Sequence, residues 1–248
     1  MARYAVKTRA ESASLRKAAI AVEQSAWNAL GFLNFTSAHF QFYEQLQEEH
    51  ADCQLCLVDE ETGYPVAVGS TVPVACNDID ALPAEGWDWV VETAGSGACK
   101  KPNYLAGLGV SVPRVHRSKG LARLMIKAMG DLARARGYDG VVIPVRPTSK
   151  AKHPFVSIDE YVGWKDEQGR SYDPWFRSHL AAGGKMIRPC ARSMVVDEPI
   201  AFWEAWTGQE FANDGDYAIE GGLAPVQIDR ARGKGRYEEP NVWFAYAA

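Results

Sequence analysis

Arg117-Ser118-Lys119-Gly120-Leu121-Ala122 follows the apolar run Tyr104–Val112 and opens an amphipathic stretch, and its reading decides the fold. Gly120 has no Cβ, so the backbone can turn tightly there and approach a ligand closely, while the small Ala122 leaves room beside a first helical turn. Amides at a helix start lack intrahelical acceptors, and the helix dipole adds about half a positive charge. Arg117, Lys119 and Arg123 bring full charges to the same end. The stretch suits a diphosphate; a plain strand-to-helix turn would need its glycine too.

The flanks carry the decision. Tyr104-Leu105-Ala106-Gly107-Leu108-Gly109-Val110-Ser111-Val112 alternates little, as a strand covered on both faces does. Its internal glycines mark a bulge or a close backbone approach, or else a loosely packed core strand. Downstream, Leu121, Leu124, Met125, Ala128 and Leu132 recur at helical spacing opposite Arg123, Lys127, Asp131 and Arg134. Gly137 stops this helix, and Val141-Val142-Ile143-Pro144-Val145 reads as a buried strand reached by a right-handed parallel crossover. Pro144 cannot donate to a ladder, which suits either an edge strand or a place where two strands have parted.

Strand, Arg-x-x-Gly-x-Ala and helix in this order resemble the coenzyme A diphosphate loop of the GNAT N-acyltransferase superfamily. The resemblance implies an α/β (α+β) GNAT-like acyl-CoA N-acyltransferase fold, its mixed central sheet split between the strands flanking the loop helix. By that likeness Val110, Ser111, Val112, Arg117, Ser118, Lys119, Gly120, Leu121, Ala122 and Arg123 hold acetyl-CoA or another acyl-CoA. A bulge within Gly109–Val112 would present a backbone donor to the thioester carbonyl. Some superfamily members carry a glutamate base on the strand before the loop; here Asn103–Val112 contains no acid. Asp88, Glu92, Asp159 and Glu160 are candidates for the base by position, each also readable as a solvated surface charge. Members often use a tyrosine as the acid on the helix after the split strand, and Tyr161 is the nearest, further along than the usual spacing.

The remaining pattern is compatible with that order. A strand over Tyr4–Lys7 precedes helices over about Ser12–Asn28 and Ser37–Glu49, the second capped by Ser37 with an aromatic face including Phe40 and Tyr43. Cys53–Asp59 and Pro65–Cys76 form a hairpin around Glu61-Thr62-Gly63. Gly86–Glu92 is a short helix whose Trp87 and Trp89 either wall an acceptor pocket or staple the connection to the sheet. Residues 1–150 are expected to hold the core and acyl-donor site of one domain, with 151–248 completing the sheet: a helix at Pro174–Leu180, a strand at Met186–Val196, a helix at Pro199–Trp206, and strands at Leu223–Ile228 and Val242–Tyr246. Asp173-Pro174-Trp175, Arg192-Ser193-Met194 and Glu239–Trp243 also resemble bacterial GNAT-type proteins with an extended C-terminal region.

Composition bounds the function. The 248 residues, 47% of them hydrophobic, can bury a sizeable core, and a net charge of −4 argues against a dedicated nucleic-acid binder. No run approaches the length of a membrane span, so the cytoplasm is the expected compartment. Five cysteines argue against a disulfide framework, and Cys53-x-x-Cys56 is read as core packing with no metal. Two basic runs remain. Arg146–His153 either meets the 3′-phosphate of coenzyme A or a larger anion, or is a solvated loop; Arg230, Arg232, Lys234 and Arg236 read as an exposed hairpin turn. The expected activity is acyl transfer to a small-molecule amine: an amino-sugar, amino acid or secondary metabolite. The alternatives are a transferase taking its acyl group from aminoacyl-tRNA, and a non-catalytic coenzyme A-binding module.

Overall fold

The structure, a computed structural model, describes residues 3–248. Strand β1 (Tyr4–Thr8) leads to helix α1 (Ala13–Trp27), which Ser12 caps by accepting the Leu15 N–H at 3.1 Å. A 3₁₀ run, Asn28–Phe35, follows, and then a π-helical turn, His39–Tyr43, continues into α2 (Glu44–Glu49). Thr36, not Ser37, caps that segment, its Oγ1 accepting the His39 N–H at 3.1 Å. The π turn also leaves Phe40 85% exposed, so the expected aromatic face reduces to Tyr43 above the buried Leu46.

Strands β2 (Leu55–Asp59) and β3 (Pro65–Val74) form the expected hairpin, Gly63 taking a φ of 72° in its turn. Helix α3 (Gly86–Gly95) precedes β4 (Tyr104–Ser111), α4 (Leu121–Ala135) and β5 (Gly140–Val145). Helix α4 ends in a Schellman motif: Gly137, at φ 70°, donates to the Arg134 carbonyl at 3.0 Å and Tyr138 to that of Ala133 at 2.9 Å. Beyond it come α5 (Ile158–Tyr161), α6 (Pro174–Ala181), β6 (Lys185–Pro199), α7 (Ile200–Thr207), β7 (Gly215–Tyr217), β8 (Val226–Asp229) and β9 (Lys234–Ala247).

The strands make one sheet in the order β1-β2-β3-β4-β5-β9-β8-β7, with β6 also paired to β9. Among the described residues only β4 and β5 run parallel, and the other strand pairings are antiparallel. Each sheet face has its own core. Met125, Met129 and Ala133 of α4 pack with Leu105, Val141 and Phe244 on one side; on the other, Phe32, Val90 and Trp203 pack with Val72, Val142 and Trp243. No helix among the described residues is long and apolar enough to cross a membrane.

Candidate functional site

The site begins where β4 and β5 separate. They pair only at Tyr104↔Gly140, Leu105↔Val141 and Ala106↔Val142, so Gly107–Ser111 and Ile143–Val145 diverge. Pro144 lies past the last of these pairs, opposite Trp243 on β9, and its missing N–H costs no bond to β4. The parted-strand reading holds, and the edge-strand alternative does not.

On its other side β4 is bulged. Ser70 pairs with Gly109 and Thr71 with Gly107, so Leu108 has no partner on β3. The bulge therefore sits just upstream of the expected Gly109–Val112, because the register of β3 positions it. Val110, Ser111 and Val112 continue from it toward the loop, with Ser111 Oγ held by Trp27 Nε1 at 2.8 Å.

The loop itself is open. Ser118 and Gly120 take φ values of 62° and 74°, and Arg117, Ser118, Lys119, Gly120 and Arg123 are exposed. A Cβ on Gly120 would meet nothing within 4 Å. No side chain caps α4, and Leu124 is the first residue to donate back into the turn, to Gly120 at 3.1 Å. The amides of Leu121, Ala122 and Arg123 are thus available beside three exposed cations, while the Leu121 side chain anchors the turn in the core. These residues fit the diphosphate of coenzyme A.

On the sheet face opposite α4, α3 covers the parted strands. Trp87 Nε1 donates to the Leu108 carbonyl at 2.9 Å and its main-chain N–H to Ser193 Oγ at 2.9 Å; Ser193 in turn accepts from Asn241 Nδ2 at 2.8 Å. Trp87 is therefore tied to the bulge itself. Trp89 instead meets Trp243 edge-on, with centroids 6.1 Å apart.

A polar cluster that the sequence reading missed lies beside Ser70, the partner of Gly109. Glu23 of α1 accepts from Tyr43 OH at 2.5 Å, Ser70 Oγ at 2.9 Å and Arg9 Nη2 at 2.8 Å. Arg9, 1% exposed, also donates to Gln47 Oε1 at 2.8 Å. Burial and the Glu23 charge push the Tyr43 hydroxyl well above its ordinary range. The His39 ring stacks on Tyr43 at 4.6 Å and on Trp87 at 5.9 Å. One signal was available: Glu23 follows the inward Ala19 by four residues, the same helical face.

The candidate acid and bases fare differently. Asp88 is not a surface charge: it is 9% exposed, Oδ2 accepts the Val195 N–H at 2.9 Å, and Oδ1 has no partner. Desolvation raises its pKa to about 7, against the pull of the Val195 amide. Glu92 is exposed one turn further along α3, and Asp159 and Glu160 are exposed on α5. Tyr161 is 1% exposed and donates to Asp173 Oδ2 at 2.8 Å. Asp173 also takes the Ser149 N–H and caps α6 through Trp175 and Phe176, so this hydroxyl closes a structural hub. A donor to a leaving thiolate needs a free hydroxyl, and that of Tyr161 is engaged by Asp173.

The first basic run is partly internal, whereas Arg230 and Arg232 of the second are exposed in the β8–β9 turn, as expected. Arg146 pairs with the fully buried Glu239 and donates to the Gly221 carbonyl at 2.6 Å. Lys150 is buried, its Nζ donating to the carbonyls of His153 at 2.9 Å and Leu223 at 2.7 Å, and burial lowers its pKa to about 8. Neither is a solvated loop charge, and neither faces outward to meet a phosphate. Lys234 and Arg236 lie at the β8–β9 hairpin and pair with Asp197. All five cysteines are free, and among the described residues no cluster of His, Cys, Asp and Glu could hold a metal ion.

No family model matches the chain. Over 243 residues, 87% of this chain and 83% of the relative, it is 35% identical to the arginine N-acetyltransferase avaD of Aspergillus versicolor. Two solved structures are similar along their length. The loading GNATL domain of CurA from Lyngbya majuscula gives a TM-score of 0.60 at 14% identity, over 99% of this chain and 98% of that one. The GphF GNAT-like decarboxylase, in complex with isobutyryl-CoA, gives 0.58 at 17% identity, over 100% and 98%. At such identities the likeness is one of fold.

Proposed function

Because the chain belongs to the GNAT superfamily of acyl-CoA-dependent N-acyltransferases, we propose that it transfers an acetyl group to an amine of a small molecule of the arginine class. The observation that carries this reading is the uncapped, exposed start of α4 beside the point where β4 and β5 part. The acceptor class is supported by the relative, an arginine N-acetyltransferase matched over most of both chains.

An acyl-CoA supplies the activated carbonyl. In this reading the amides of Leu121–Arg123, with Arg117, Lys119 and Arg123, hold its diphosphate. Val110–Val112 line the opening between the strands. The bulge at Leu108, unpaired on β3 and beyond the last β5 pair, supplies the backbone donor for the charge that develops on the carbonyl oxygen. One such donor is typically worth about 10²–10³ in rate, and holding both reactants in line contributes further. The Trp87 bond to the Leu108 carbonyl keeps the bulge rigid.

The reading is tested by thiol release from acetyl-CoA in the presence of arginine, lysine, an amino-sugar and an arylalkylamine. Release that depends on arginine, with a matching acetylated product by mass spectrometry, is the expected result. Tight coenzyme A binding with no release for any amine would overturn it in favour of a non-catalytic binding module.

A further inference from the structure

The strand before the loop carries no acid, Tyr161 is bound into a hub, and Glu92 stands in solvent, so the proton of the attacking amine needs another acceptor. Resting on the acyl-transfer reading above, we propose that His39 is the general base, a half-buried imidazole stacked against Trp87 on the α3 side of the β4 bulge.

Three independent features fix this side chain. It begins the π turn His39–Tyr43, and π turns recur at functional sites because they throw one residue out of the helical register. Its ring lies nearly parallel to both neighbours, tilted 19° to Tyr43 and 17° to Trp87. Its main-chain N–H is held by Thr36 Oγ1 at 3.1 Å. Trp87 in turn is bonded to Leu108, so the imidazole is registered, through one indole, to the bulged residue of β4.

The ring is also free to act. Neither nitrogen has a hydrogen-bond partner among the described residues, although the ring is partly buried. Burial lowers its pKa, against the opposing charge of Glu23, so at neutral pH it is an uncharged base. The charged and titratable groups around it are Tyr43 on its own turn, Glu23 of α1 with Arg9, in the turn after β1, paired to it, and Asp88 of α3 with Glu92 one turn beyond. Glu23 already accepts three hydrogen bonds and Asp88 Oδ2 holds the Val195 N–H, whereas both ring nitrogens of His39 are without a partner among the described residues.

The step balances. The amine nitrogen forms its bond to the thioester carbon while the C–S bond breaks, and His39 takes the N–H proton. The imidazolium then returns that proton to the departing thiolate, leaving an amide and a free thiol. Trp87 and Thr36 are positioning residues, acting through His39.

The test compares wild type with His39→Gln and His39→Phe, measuring coenzyme A affinity, kcat, KM and the pH profile of kcat. Both variants are expected to bind coenzyme A as wild type does. Their kcat falls about 100-fold or more, and the acidic limb of the profile, with an apparent pKa below 6.5, disappears. Should the glutamine variant not fold, the phenylalanine variant, which keeps the stack, carries the comparison. A kcat within threefold of wild type, or an unchanged acidic limb, removes His39 from the chemistry while leaving acyl transfer standing. A wild type without amine-dependent thiol release removes the acyl-transfer reading and the role of His39 together.

Discussion

Trp87 Nε1 donates to the carbonyl of Leu108 at 2.9 Å, joining α3 to the one residue of β4 that the bulge leaves without a partner on β3. The bond spans 21 residues of sequence and locks the least regular point of the central strand. Trp87→Phe keeps most of the packing but removes the donor, leaving a partly buried carbonyl unpaired at a cost of about 1–3 kcal/mol. The expected outcome is a loss of kcat larger than the change in coenzyme A affinity, measured by steady-state kinetics and titration calorimetry. Equal losses in both would place the indole in cofactor binding instead.

Tyr161 is tested by Tyr161→Phe. Its hydroxyl serves Asp173, so the variant should lose about 1–3 kcal/mol of stability in urea titration while kcat stays within threefold of wild type. A large fall in kcat with unchanged stability would restore it as the proton donor.

Asp88 makes stability depend on pH. Its folded pKa, about 7, lies above the usual carboxylate value of 3.8, so the folded state binds more protons between these limits. Stability therefore falls as pH rises from about 4 to about 7, by roughly 1.4 kcal/mol per unit at most. Asp88→Asn, which can still accept the Val195 N–H, should flatten this slope and raise Tm at pH 8. Parallel Tm profiles for the two proteins would show that the carboxyl is ionised throughout.

The Arg9–Glu23 pair, with its guanidinium buried and its carboxylate partly so, invites a double-mutant cycle. Arg9→Met alone leaves the carboxylate without its cation and should cost about 3–5 kcal/mol, whereas Arg9→Met with Glu23→Gln should recover much of that loss. Additive losses in the cycle would mean that the two residues act separately.

Local chemistry made the loop legible. A glycine needing positive φ, small Ala122 and the helical spacing of Leu121, Met125 and Ala128 all lie within a few residues of one another, while Pro144 suits parted strands and an edge strand alike until the pairing of β4 and β5 is seen. What stayed hidden depends on distant partners. The bulge falls at Leu108 because Ser70 and Thr71 of β3 set the register. Arg146 and Lys150 read as free cations, yet turn inward because Glu239 and the carbonyls of Gly221 and Leu223, more than 70 residues away, receive them. His39 was silent for a related reason: its stack on Trp87 exists only once α3 packs beside it.

The central claim, that the open turn at the start of α4 grips an acyl-CoA diphosphate, is tested most directly by titrating coenzyme A into wild type and Gly120→Val. Valine at φ 74° is strained by about 1–2 kcal/mol, and its branched side chain projects into space that is open in the free protein. The account predicts at least a tenfold rise in Kd with only that modest loss of stability. An unchanged Kd in a folded variant would contradict it.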